Sequence, residues 1–246
     1  MLHSLLTFWV KIMDREIFER GLACLGLRID KEKIEKFDIY SKLLVEWNEK
    51  INLTAITSPE EISVKHFLDS IAPLSVFEIE ENAKIIDVGT GAGFPGFPIK
   101  IMREDLDFTF MDSLNKRINF LKLVSEEIGF QKAEFVHSRA EDGGINKLYR
   151  EKFDYVVSRA VAKLKVLSEY CIPFLKVGGT FAAFKQYEID EEIEESKAMI
   201  GSLGGKIKEI KEVKIPCSDI VRKIVLIEKI KETPKNFPRK ASKIRK

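Results

Sequence analysis

The sequence predicts an α/β domain built on a mostly parallel, seven-stranded sheet that ends in an antiparallel hairpin, with a helical cap ahead of it. Three observations predict this. A short apolar run, Ile85 to Val88, meets glycines at 89, 91 and 93, as a buried strand does when it feeds a tight loop and then a helix. Beyond it, strand-like runs alternate with helical periodicity, the pattern of crossover units. The last two strand-like runs leave no room for a helix between them, so they pair as a hairpin.

The elements follow in order. Residues 1–80 form the cap: Ile34, Phe37, Leu44 and Trp47 recur at helical spacing, and Ser58-Pro59-Glu60-Glu61 has the form of a capping box with proline at the first helical position. Residues 81–230 form the sheet domain. After its glycine loop a helix starts near Phe97, a strand runs from Asp107 to Phe110 and ends at Asp112, and Ile118, Leu121, Val124 and Ile128 mark a helix closed by Gly129. Further strands are expected at Ala133 to His137, Phe153 to Ser158 and, after a Gly178-Gly179 turn, Thr180 to Phe184. Ile207 to Ile215 and Ile224 to Glu228 make the hairpin. Residues 231–246 belong to a basic tail. From Lys229 onward it holds eight Lys or Arg against Glu232 alone, and is expected to be a mobile arm suited to phosphate backbones.

Composition bounds the class. The chain has 246 residues, 45% of them hydrophobic, enough for one full α/β domain with an appendage. No run approaches the roughly 18 apolar residues of a membrane span. The opening MLHSLLTFWVKIM lacks a basic start and a small-residue cleavage site, which speaks against a leader, and Met13 is an alternative start. Three scattered cysteines exclude a disulfide framework and a zinc site, so no metal is expected and a cytoplasmic home is.

The spacing of the glycines selects the ligand. Gly91, Gly93 and Gly96 formally satisfy a dinucleotide fingerprint, but Pro95 interrupts it and bulky Phe94 stands where a pyrophosphate needs bare backbone. The run Asp87-x-Gly89-x-Gly91-x-Gly93 instead resembles motif I of S-adenosylmethionine-dependent methyltransferases of the Rossmann-like class I fold. Asp87 is then expected to act on the donor's ammonium through hydrogen bonds or water. Asp112, about 20 residues past the glycines and with Ser113 beside it, is the expected ribose ligand. Ser138 to Asp142 lies where an adenine would sit, and Ser158-Arg159-Ala160-Val161 faces the transferable methyl.

Together, Asn52 to Ser70, the glycine loop, Arg139-Ala140-Glu141 and Ser158 to Ala162 resemble the RsmG (GidB) family of bacterial ribosomal RNA methyltransferases over about Tyr40 to Lys185. The resemblance implies methyl transfer from S-adenosylmethionine to N7 of a guanine in 16S ribosomal RNA, free or in the small-subunit particle; the sequence leaves the oligomeric state open, with a monomer expected. It places cofactor contacts at Gly89, Phe94, Ala140, Glu141 and Arg159. Gln186 departs from the small residue expected after Lys185 and leaves that lysine's role open. Guanine N7 carries an in-plane lone pair and no proton, so the reaction needs alignment more than a general base. His66, Asp69, Arg159 and Lys185 are the candidate catalytic residues. A small-molecule methyltransferase and a non-catalytic RNA-binding regulator are the alternative functions.

Overall fold

In the computed structural model residues 12–244 are described; most of the N-terminal apolar patch, and the last two residues of the tail, lie outside them. The cap begins with α1 (Arg15–Cys24), capped by the Asp14 carboxylate, and α2 (Lys31–Ile51), capped by Asp30. A continuous helical run follows: α3 (Pro59–Glu61), a π-helical stretch (Ile62–Leu68), α4 (Asp69–Ile71) and a 3-10 turn (Ala72–Ser75). Ser58 Oγ accepts from the Glu61 N–H at 3.4 Å and donates to its carboxylate at 3.1 Å. The second bond of the capping box therefore runs side chain to side chain instead of back to the Ser58 N–H.

The sheet domain comprises β1 (Lys84–Val88), α5 (Gly96–Met102), β2 (Asp107–Asp112), α6 (Asn115–Ile128), β3 (Ala133–His137), α7 (Ala140–Gly143), β4 (Phe153–Arg159), α8 (Leu164–Cys171), β5 (Leu175–Lys185), α9 (Asp190–Ser202), β6 (Gly205–Lys214) and β7 (Val221–Lys229). Strand order is β3-β2-β1-β4-β5-β7-β6. The first five strands are parallel; β7 runs antiparallel to both β5 and β6. Ligands in such sheets bind beyond the carboxyl ends of the strands where the order reverses, here at β1 with β2 on one side and β4 on the other.

Two apolar cores flank the sheet. One joins Ile85, Phe108 and Phe110 to α5, α6 and the cap, so the boundary near residue 80 divides the chain but not the packing. Phe67 of the π stretch packs among Phe18, Phe37 and Tyr40. The other core joins Ile86 and Val88 to α8, α9 and the C-terminal Phe237 and Ile244.

Two expectations need correction. Gly178-Gly179 is no turn ahead of a strand: β5 starts at Leu175, and its register against β4 shifts between the Phe153 and Tyr155 pairings, absorbing the glycines as an irregularity within it. The basic tail is no mobile arm either. Lys229 is fully buried and pairs with Glu151 at 2.8 Å. Arg150 donates to the carbonyls of Thr233, Pro234 and Phe237, and Arg239, just ahead of α10 (Ala241–Ile244), forks onto buried Glu169. Two positive charges of this segment, Lys229 and Arg239, do structural work because each meets a carboxylate, and Arg150 satisfies carbonyls that the tail leaves open.

Candidate active site

The loop after β1 is pinned from three sides. Gly89 and Thr90 donate their N–H groups to the Met111 carbonyl of β2 at 2.9 and 3.1 Å. Tyr40, from the cap, donates its hydroxyl to the Ala92 carbonyl at 2.6 Å. Asp87 lies wholly inside, where its Oδ2 accepts from Thr90 Oγ1 at 2.8 Å and from the Gly96 N–H at 2.9 Å. The carboxylate expected to meet the ligand's ammonium thus braces the loop from beneath and is not among the residues that line either cavity of the site. Gly93 likewise stands outside that lining. With φ at 108°, its missing Cβ would lie 2.6 Å from Tyr40 Oη, so it is glycine because the cap presses on it.

Beneath this loop a cavity of about 460 Å³ opens, bounded by Val88, Gly89, Gly91, Phe94, Met111, Asp112, Ser113, Ala140, Glu141, Arg159 and Tyr170, among others. Eight of the ten expected cofactor positions therefore come together: all except Asp87 and Gly93. Gly91, at φ 62°, has only the Gly89 carbonyl within 4 Å of a built Cβ, so bare main chain borders open space. Asp112 Oδ2 accepts from the Gly91 N–H at 2.9 Å and from Arg117 at 3.3 Å, and its Oδ1 from the Leu114 N–H at 2.9 Å. A carboxylate offers about four acceptor sites, so Oδ1 retains capacity for a ribose hydroxyl. Met111, Val88, Ala140 and Tyr170 supply apolar wall for an adenine. These residues fit S-adenosylmethionine, which when bound supplies an electrophilic methyl on sulfur.

A second cleft of about 620 Å³ shares His66, Arg159, Ala160 and Val161 with the first and extends past Asp69, Lys185 and Arg222. Ala160 takes φ 56°, disfavoured by roughly 1–2 kcal/mol for an L-residue, and turns the chain where the two spaces meet. His66 and Arg159 thus wall both spaces, while Asp69 and Lys185 reach only the second. His66 and Asp69 do not bond each other. His66 lies flat on Phe94, with ring centroids 4.3 Å apart, and its Nε2 is 2.9 Å from Thr54 Oγ1. Asp69 accepts from Arg159 at 2.8 Å and from Arg222 at 2.7 Å. Lys185 is taken by Glu192 at 2.5 Å and by the Ala162 carbonyl. Tyr40 and Arg222 escaped sequence reasoning: Tyr40 looks like any core position of an amphipathic helix, and the expected start of the last strand, Ile224, excluded Arg222.

Burial and the nearby Arg159 charge push His66 down to about 3, so it stays neutral at working pH and is a weak base. Burial pushes the Asp87 carboxyl up to about 7, against the pull of Thr90, Gly96 and Arg159. The stability contributions of these two groups oppose each other. That of Asp87 is complete below its ordinary 3.8 and is lost as pH rises to about 7; that of His66 is complete above its ordinary 6.5 and is lost as pH falls toward about 3. Between about pH 4 and 6.5 each slope is at most about 1.4 kcal/mol per unit. Relative to the parent, Asp87→Asn is expected to make Tm climb with pH across this window and His66→Gln to make it fall. Parallel melting profiles for all three proteins would contradict these assignments.

Among the described residues no cluster of His, Cys, Asp or Glu could hold a metal ion, and no helix is long and apolar enough to cross a membrane. The family model described as rRNA small subunit methyltransferase G matches residues 33–221. The chain is 52% identical over 231 residues to the ribosomal RNA small subunit methyltransferase G of Clostridium perfringens (strain 13 / Type A), covering 94% of this chain and 97% of that protein. It is 50% identical over 227 residues to that of Alkaliphilus metalliredigens (strain QYMF), covering 92% and 95%. A SAM dependent methyltransferase from Aquifex aeolicus shares the fold, with a TM-score of 0.51 at 19% identity over 70% of this chain and 94% of that one. With identity of this order sustained over nearly the whole length, the chain belongs to the GidB family, rRNA small subunit methyltransferase G, and is an S-adenosylmethionine-dependent methyltransferase.

Proposed function

We propose that this protein transfers the methyl of S-adenosylmethionine to N7 of a guanine in 16S ribosomal RNA, acting in the cytoplasm as a monomer. The observation that carries the reading beyond family membership is the junction of the two cavities at Arg159, Ala160 and Val161. A base entering the second cleft meets the end of the first, where the donor's methyl would lie. Among the described residues no cysteine lines either space, so the nucleophile that pyrimidine C5 methylation requires is missing. His66 is held neutral and Asp69 is paired with two arginines. Such a site suits an acceptor that presents a lone pair and needs no proton removed. The chain's task is then alignment and exclusion of water. Charge passes from sulfur to the base during transfer, so a cation directly against N7 would oppose it, and the Asp69 carboxylate keeps the Arg159 guanidinium turned to itself.

Purified protein, labelled S-adenosylmethionine and small-subunit RNA lacking the mark test this directly. Label is expected on a single guanine and resistant to competition by small-molecule acceptors. Label on adenine, on a pyrimidine or on no RNA would overturn the proposal.

A further inference from the structure

We propose that Asp69, Arg159 and Arg222 form a fork that grips a backbone phosphate of the RNA strand beside the target nucleotide, with Asp69 as positioning residue. This inference rests on RNA being the substrate. The three groups come from distant parts of the chain: Asp69 from α4, Arg159 from the end of β4, 90 residues on, and Arg222 from β7, 153 residues on. Asp69 Oδ1 accepts from Arg222 Nε at 2.7 Å; its Oδ2 accepts from Arg222 Nη2 at 3.1 Å and from Arg159 Nη1 at 2.8 Å.

One carboxylate cannot neutralise two guanidinium groups, and the Arg222 charge acts against that of Arg159. A purely structural link between cap and sheet would need one arginine; a second, brought close at a repulsive cost, leaves the trio with a positive charge of one to offer. Among the described residues, Arg222 Nη1 and Arg159 Nε and Nη2 make no hydrogen bond, while both side chains keep a face to the cleft, 23% and 14% exposed against 3% for Asp69. Two planar donors fixed by a shared acceptor match the tetrahedral oxygens of a phosphodiester.

The surroundings agree. Lys163 lines the same cleft, as does Lys65, which is paired with Glu61, and of its acids Glu192 is already held by Lys185 and the Leu164 N–H, leaving Glu188 on the rim. Arg159 also lies over the Phe94 ring at 5.1 Å, and Phe94 walls the donor cavity. A phosphate held by the fork therefore lies beside the wall of the donor cavity. It is also the acceptor group a cation can grip without drawing on the N7 lone pair.

The test uses the full chain and an unmodified small-subunit RNA transcript. For Arg222→Gln, KM for RNA is expected to rise about tenfold, the loss of one charge-assisted hydrogen bond. The slope of log Kd against log salt should fall by about 0.7–0.9, with kcat and cofactor Kd within about twofold of the parent. Arg222→Lys should restore the salt slope. Asp69→Asn adds positive charge yet releases the fork, so KM should still rise while the salt slope does not fall, a split that loss of charge alone cannot produce. If the parent methylates the transcript and Arg222→Gln keeps its salt slope and KM, the fork is rejected and the RNA reading stands. Equal losses of cofactor and RNA binding in Arg222→Gln would also reject it, in favour of a structural latch. A parent that methylates no RNA rejects the reading beneath the fork.

Discussion

Replacing Gly91 by valine is expected to cost at least about a hundredfold in S-adenosylmethionine affinity, roughly 2.7 kcal/mol, while the protein remains folded. Nothing but the Gly89 carbonyl stands within 4 Å of the position a Cβ would take, so the new side chain projects into the cavity and takes the volume the cofactor needs. A second loss adds to the first: a β-branched residue resists φ 62°, and relaxation of that strain would pull the Gly91 N–H away from Asp112, the expected ribose ligand. The strain is about 1–2 kcal/mol against a total stability on the order of 5–15 kcal/mol, so folding survives. Gly93→Ala, two residues on, should behave in the opposite way. Its methyl group collides with Tyr40 Oη, Leu121 and Phe97, where Tyr40 is fully buried and tied to the Ala92 carbonyl, so the loop and cap must separate. Overpacking with left-handed strain costs about 3 kcal/mol, or roughly 6–12 °C in Tm for a chain of this size. Calorimetric titration and thermal melting of both variants separate the two effects. Parent-like cofactor affinity in Gly91→Val would remove the cavity from consideration as the donor site.

The contrast between these glycines also marks what the sequence could reveal. Strand ends, the glycine loop, the helix stopped by Gly129 in its left-handed conformation and the terminal hairpin were legible because each depends on residues close in sequence. The Asp87 carboxylate was not. A strand-end aspartate has the same local signature whether it faces a ligand or folds under its own loop, and the outcome is set by Thr90 Oγ1 and the Gly96 N–H claiming it. Asp69 was visible as a polar residue on an apolar helix, but its partners lie 90 and 153 residues away, beyond any local periodicity. The π-helical stretch before it has the composition of an ordinary amphipathic helix, and only the packing of Phe67 inward with His66 against Phe94 distinguishes it. The tail misled for a related reason: a run of lysines and arginines looks solvated until the carboxylates that receive Lys229 and Arg239 are placed.

That tail supplies the other large effect. Arg239→Ala is expected to lower Tm by roughly 6–12 °C. Glu169 is fully buried, and its carboxylate accepts from the Arg239 N–H at 2.7 Å, from Nε at 2.9 and 3.1 Å and from Nη2 at 2.7 Å. Truncating the arginine strands that charge inside the fold. The cost is about 3 kcal/mol, the low end for a broken buried pair, because Arg239 is itself a third exposed. The damage should reach the active site from behind. Arg150 ties the tail carbonyls to that of Gly144, Pro238 packs so close that a Cβ on Gly144 would lie 3.0 Å from its Cγ, and the segment so held carries Ala140 and Glu141 into the donor cavity. Glu169 also neighbours Tyr170, on the same wall. A chain ending before Lys235 should therefore lose stability and cofactor affinity together, whereas a mobile arm would forfeit only RNA affinity and part of its salt dependence. Melting curves and cofactor titrations on the truncated protein decide between strap and arm: parent-like values in both would return the tail to the solvent.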